Sequence, residues 1–293
     1  MNTFTIIVII RTSKLRNVTG YLMISLAIAD LGVGIMTAFP LVYATIDDHL
    51  TPGACDMIGF LSSVCWVVSV YTLTLLSVDR LIAIVHPLGY HMIVTKQRCF
   101  VTIGLTWLMS CILWTLPLAN VGSYKYNHEE VTCYFDVAGY PVQWIIYMVV
   151  IFIPTGIIMA ISYSWIWCVA KKQKVSPLEN TSNIEALNTS RKNFKALRTL
   201  IIIIGAFYIA WLPFIIEHIT KASQGNLKHI QEWLEITIYM VAVTNSFWNP
   251  IIYVITNRTF RVANVKLILR LCPSCACLIS ENRDDHEITE YDC

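Results

Sequence analysis

Charge is the scarce ingredient of this 293-residue chain. Asp, Glu, Lys and Arg make up 14% of it, where an ordinary soluble domain carries roughly a quarter. That deficit excludes a disordered chain, which stays solvated through charge, and a soluble domain of the usual kind. A small disulfide scaffold is excluded by length, whatever the 10 cysteines do. Internal repeats are missing, as are the matching halves that many transporters carry. The acids, His and Cys do not converge on a nucleophile–base pair, so catalysis is not expected. Nor is a nucleic-acid partner.

What fills the chain is apolar: 56% hydrophobic residues and a mean hydropathy of +0.60. They gather in long runs separated by short polar segments, the pattern of a polytopic membrane protein. A helix crosses the hydrocarbon with about 20 mainly apolar residues. Six runs reach that length: Tyr21–Tyr43, Met57–Ile84, Phe100–Val121, Gln143–Val169, Leu197–Ile219 and Leu234–Thr256. A seventh, Phe4–Ile10, is too short to cross. It ends at Arg11 as the others end at basic loops, so it reads as the inner end of a first helix. The outer half would then be missing, through a truncated gene model or a fragment. A signal peptide is the alternative, but the basic leader and small-residue cleavage site are lacking.

Lys and Arg favour the cytosolic side of a membrane. Of the 21, all but Lys125, Lys221 and Lys228 fall in alternate loops and the C-terminal segment. The opposite loops hold acids such as Asp47, Asp48, Glu129 and Glu130. The C-terminus is therefore expected in the cytosol, and the N-terminus, once completed, outside. The four N-x-S/T sequons, at Asn17, Asn180, Asn188 and Asn257, then face the cytosol and should carry no glycan.

Ionisable groups inside a span are costly and mark function by default. Asp30 lies nine residues into its run, about 14 Å deep at the helical rise. No Lys or Arg in the cores of the six spans can pair with it, so it must be protonated, hydrated or bound to a cation. Ser69, Asn245, Ser246 and Asn249 fall at comparable depth, and Asn245 and Asn249 share a face. These oxygens can surround a small hard cation such as Na⁺. A hydrogen-bond network between helices, without an ion, also fits the spacing.

Cys55 and Arg80 are 25 residues apart, about 37 Å along a helix, and so lie at opposite faces of the membrane. Cys55 and Cys133 fall outside, in oxidising surroundings, where a bridge between them is the natural reading. Cys65, Cys99, Cys111 and Cys168 read as small packing residues. Arg80 follows Asp79 at the cytosolic boundary, where simple snorkelling would also place it. Pro117, Pro154, Pro213 and Pro250 interrupt spans and permit kinks. Trp211-Leu-Pro213 and Asn249-Pro250-Ile-Ile-Tyr253 set a bulky or polar group beside such a kink, where a helix can pivot.

Taken in order, the motifs are Ser25-Leu-Ala-Ile-Ala-Asp30, Cys55 with Cys133, Asp79-Arg80-Leu81, Trp107, Pro154, Phe207-x-x-x-Trp211-x-Pro213, Asn249-Pro250-x-x-Tyr253 and Asn257-Arg-Thr-Phe260-Arg261. From Asn2 to about Leu271 the chain resembles the rhodopsin-like (class A) G-protein-coupled receptors. The resemblance implies an all-α fold, a seven-transmembrane helix bundle with its first helix truncated, plus a short membrane-surface helix. Asn2 falls where the family carries its helix-one asparagine. Residues 1–271 would form the receptor domain of a multi-pass plasma-membrane protein, and residues 272–293 a cytosolic tail.

The same resemblance implies a mechanism. An agonist among the outer helix halves is sensed near Trp211; Phe207 and the Asn249–Tyr253 segment with Pro250 repack, and the cytosolic end of helix six, which carries Pro213, swings outward. Arg80 then leaves Asp79 to contact a heterotrimeric G protein. The Asp30 cluster would be a sodium site favouring the inactive state, an allosteric ion rather than a cofactor. No other metal is expected. Membrane lipids, arrestin and receptor kinases are the further partners implied. Cys272, Cys275 and Cys277 follow a basic amphipathic segment and are candidates for palmitoylation; zinc binding there would need a second ligand pair. The chain departs from the family in four places. Leu81 replaces a tyrosine, Ala210 replaces a cysteine, and Tyr163 stands one residue late after Pro154. Asn193 stands where many members carry an acid that latches the arginine. Restraint on Arg80 must then come mainly from Asp79, and appreciable basal signalling is expected.

Ser62, with Ser63 and Trp66 beside it, replaces the helix-three aspartate of amine receptors, and Val243 replaces the retinal lysine of opsins. Both ligand classes are therefore disfavoured. Leu15–Tyr21, Pro87–Tyr90 with Val94–Arg98, and Cys133-Tyr-Phe135-Asp136 resemble adenosine receptors. Phe135 would stack on a purine and Asp136 bond its amino group. His218 and Val243 depart from that pattern. Phe194–Thr199 resembles receptors for lipid amides, and melatonin-like or peptide ligands stay open. The expected pocket comprises Ser62, Trp66, Phe135, Asp136, Trp211, His218 and Tyr239, with Glu217 at its mouth; a merely polar external rim is the alternative for the last three. Two rival functions are a non-signalling fragment that pairs with a full receptor and an ion transporter using Asp30.

Overall fold

The computed structural model of the chain describes residues 1–44, 50–128, 131–175, 184–224 and 231–271. Cys272, Cys275, Cys277, Asn180, Asp47, Asp48, Glu129 and Glu130 lie outside the described residues, as do the side chains of Asn188 and Asn193. The six long runs are helices: α2 (Val18–Ala44), α3 (Pro52–Val85), α5 (Lys96–Thr115), α6 (Pro141–Val175), α7 (Ile184–Gln224) and α8 (Glu232–Thr256). All six are long and apolar enough to cross a membrane. A shorter apolar helix, α1 (Asn2–Arg11), precedes them. A single turn, α4 (Tyr90–Ile93), and a last helix, α9 (Arg258–Leu271), complete the α-helices among the described residues.

The helices run past the apolar stretches because backbone hydrogen bonding continues where side chains turn polar. Thr51 caps α3 by accepting from the Ala54 N–H with Pro52 in the first turn, and Thr95 caps α5 by accepting from the Arg98 N–H. The Phe100–Val121 run stops early: α5 ends at Thr115, and Pro117 opens a 3₁₀ turn closed by Asn120 at φ 64°.

α3 is the central rod. It packs against α2, α5, α6 and α7, burying Val64, Val67, Val68, Leu73 and Leu76. The outward faces carry large apolar residues, such as Leu105, Leu108, Met109 and Ile112 on α5, while Asp30, Ser69 and Asn249 are buried. Apolar outside and polar inside is the arrangement that a hydrocarbon solvent selects.

An antiparallel hairpin, β1 (Tyr124–Asn127) and β2 (Thr132–Phe135), adds to the expected all-α bundle. Four-residue strands are too short for alternation to stand out in the sequence. The hairpin lies against α3. Gly59 makes that possible, because a Cβ there would run into the Tyr124 ring. The Tyr124 hydroxyl donates to the Trp114 carbonyl at 2.7 Å. Cys133 is bonded to Cys55 as expected, across a sequence separation of 78. Cys133→Ser should therefore lower the thermal unfolding midpoint of the purified protein, by an amount equivalent to about 4 kcal/mol on loop-closure grounds. An unchanged midpoint would mean that packing alone holds the hairpin.

Candidate functional site

Beneath β2 lies a cavity of about 100 Å³ between the outer halves of α2, α3, α6, α7 and α8. Of the seven pocket residues expected, Ser62, Trp66, Phe135, Trp211, His218 and Tyr239 line it. Asp136 does not: its Oδ1 accepts from the Gly139 N–H at 3.1 Å, in the turn that leads into α6. Phe135 is held by Trp114 and Tyr147, with ring centroids 6.1 and 5.4 Å away. Glu217 turns from the cavity to pair with Lys221 at 2.8 Å, and Lys221 also meets Glu235 on α8 at 3.1 Å.

His218 is enclosed by rings. Phe214, Trp144 and Tyr134 stand 3.9, 5.6 and 5.7 Å away, and its Nδ1 lies 3.0 Å from the Phe214 carbonyl oxygen. Tyr239 reaches Thr37 and Thr132, each at 3.4 Å. Among the described residues, no Asp, Glu, Lys or Arg lines this cavity.

Below the cavity floor the aromatic contacts continue inward. Trp66 and Trp211 stand 5.1 Å apart, and Trp211 and Phe207 6.1 Å. Pro213 lies within the continuous helix α7, two residues from Trp211, and Pro250 lies within α8. Asp30, 2% exposed, accepts from the Ser69 hydroxyl at 3.2 Å and the Asn249 amide at 2.7 Å, joining α2, α3 and α8. Asn245 and Ser246 are buried on the same stretch of α8. The Asn245 Oδ1 has no hydrogen-bond partner among the described residues. The Ser246 carbonyl accepts from the Asn2 amide at 2.9 Å.

At the end of α3 opposite Cys55, Arg80 pairs with Asp79 at 2.6 Å. Two further groups hold Asp79, neither of them picked out from the sequence. The Thr19 hydroxyl donates to it at 2.9 Å and also meets Arg80, and the Tyr90 hydroxyl donates at 2.6 Å. Burial, and then the bond to Asp79, push the Tyr90 phenol well above its ordinary pKa, so it stays a donor. Tyr163, one residue late by family spacing, still reaches the α3 hydroxyl of Ser77 at 3.1 Å.

Residues 1–253 match the family described as "7 transmembrane receptor (rhodopsin family)". The chain belongs to that family. Its members are signalling receptors rather than enzymes, and the apolar helices make this one a multi-pass membrane protein. It is 30% identical to the octopamine receptor beta-1R of Drosophila melanogaster, over 99% of this chain and 63% of that one. It thus spans under two thirds of that receptor's length. It is 26% identical to the pyroglutamylated RF-amide peptide receptor of Rattus norvegicus, over 96% and 68% of the two chains. The melatonin receptor type 1A of Ovis aries is 27% identical over 92% and 74%. These relatives are named for an amine, a peptide and melatonin, so the expected lean towards adenosine receptors narrows to the family itself.

Tyr90→Phe should cost about 2 kcal/mol, the usual loss for a hydrogen bond to a charged acceptor. A fall in the thermal unfolding midpoint would register it, and an unchanged midpoint would count against the latch.

Proposed function

We propose that this chain is a receptor that relays an extracellular small-molecule ligand to a heterotrimeric G protein, with its C-terminus in the cytosol. One observation carries the reading: the aromatic contacts Trp66–Trp211–Phe207 run from the cavity floor towards the Asp79–Arg80 pair. A ligand that presses on Trp211 favours one packing of this column over another, which is what a two-state receptor requires. Pro213 lets α7 pivot, and Arg80 exchanges Asp79 for the G protein. Sodium fits the opposing role. Asp30, Ser69 and the unpartnered Asn245 Oδ1 offer the hard oxygens that it takes.

The cavity favours a neutral, largely apolar ligand with a few hydrogen-bonding groups. Ser62 stands where a cationic ligand would need an acid, so likeness to an octopamine receptor does not bring amine binding with it. Purine recognition through Asp136 gains no support, since that carboxylate is engaged in its own turn. A lipid-like or melatonin-like molecule suits the aromatic lining better, with Ser62, Ser63 and Tyr239 as polar handles.

The test is nucleotide exchange by purified G protein with the reconstituted chain. Basal exchange should exceed a receptor-free control. Asp79→Asn should raise it about 5- to 30-fold, the equivalent of losing 1–2 kcal/mol of restraint. Asp30→Asn should abolish any suppression by sodium. Exchange no faster than the control, with every Gα class, would favour the non-signalling fragment instead.

A further inference from the structure

A second cavity, of about 150 Å³, opens at the cytosolic end between the start of α2 and the ends of α1, α3 and α8. Its polar side chains are Asn17, Thr19, Arg80, Tyr253 and Asn257, each able to donate a hydrogen bond, with Thr19 already donating to Asp79. Asn17 turns its Oδ1 to the Gly20 N–H at 3.0 Å, capping α2. Asn257 turns its Oδ1 to the Phe260 N–H at 3.2 Å, capping α9. With each oxygen committed to a cap, the amide NH₂ is what each asparagine has left to offer the cavity. Both also bring a helix N-terminus to the same space, and with it a partial positive charge.

Two more groups complete the set. Tyr253 lines the cavity at 1% exposure, and its hydroxyl has no hydrogen-bond partner among the described residues. Burying a hydroxyl unpaired is costly unless a water or a ligand satisfies it. Arg80 lines the cavity as well, its guanidinium shared with Asp79. Asp79 is hydrogen-bonded to the lining residues Thr19 and Arg80, and the Arg80 pair offsets its charge. Arg11, Lys14, Arg16, Arg258 and Arg261 flank the lining in sequence.

From the donor set and its two helix N-termini we infer that this cavity is an anion site for a phosphate group, free or esterified, held by Asn17, Asn257, Tyr253 and Arg80. A phosphate presents several acceptor oxygens in divergent directions, which matches donors arriving from three separate segments. Arg80 carries no acceptor, and the two asparagine oxygens are turned to their caps. Binding there braces α2, α3 and α8 together and does not depend on signalling or on the outer ligand.

Thermal unfolding of the full chain in nanodiscs tests this without any G protein. In neutral lipid, inorganic phosphate should raise the midpoint by about 2–4 °C over chloride at equal ionic strength and pH. Asn17→Asp and Asn257→Asp keep the capping oxygen but replace the donor with a negative charge. Their midpoints in chloride should hold, and the phosphate response should vanish. A second arm uses nanodiscs containing phosphatidylinositol 4-phosphate with no added phosphate. A rise confined to that arm assigns the group to a lipid headgroup, and a rise in both assigns it to a diffusible phosphate. If the aspartate variants fold poorly, Tyr253→Phe removes a single oxygen and should weaken the response about tenfold in phosphate concentration. No rise in either arm, or a rise undiminished in the substituted proteins, overturns the site.

Discussion

A carboxylate at membrane depth has no bulk water to satisfy it, and the bundle is arranged around that constraint. Asp30 recruits a hydroxyl from α3 and an amide from α8. Each bond is worth more in a medium of low dielectric than in water. Ser69 and Asn249 thereby fix the depth and rotation of their helices against α2, which apolar packing alone specifies loosely when lipid is as greasy as the core. Gly32 tightens the same seam, since a Cβ there would strike the Cys65 side chain.

Around this centre the two ends of the molecule are built differently. The outer end is a ring-lined hollow under a strand, with its charges turned aside into the Glu217–Lys221–Glu235 cluster. The inner end is polar, and Asp79 collects donors from α2, α3 and the α4 turn. Among the described residues, no polar side-chain bond holds the indoles of the aromatic column between them in one arrangement. It rests on shape, and packed rings tend to switch between discrete fits rather than deform smoothly.

Much of this was legible in the residues. Hydropathy located the long helices, and the compartment argument paired Cys55 with Cys133. Depth along the runs singled out Asp30, Ser69 and Asn249 before any of them touched. What stayed hidden depended on contacts between segments. Tyr90 sits in a four-residue helix with no periodicity of its own, and Thr19 is one threonine among many. Asp136 looked like a ligand contact because it follows Phe135, but its carboxylate serves the local turn, as aspartates in such positions often do. Likewise, nothing in the spacing of Asn17 and Asn257 reveals that both line one hollow.

The roof of the outer hollow has a kinetic corollary. β2 supplies part of the lining, including Cys133 itself, and the covalent tie to Cys55 anchors that strand to α3. A molecule lodged beneath it cannot leave straight outward until the strand lifts or a flank between helices parts. Residence time is then governed by the stiffness of the tethered roof as well as by contact strength. Two occupants of equal affinity but different bulk would escape at different rates.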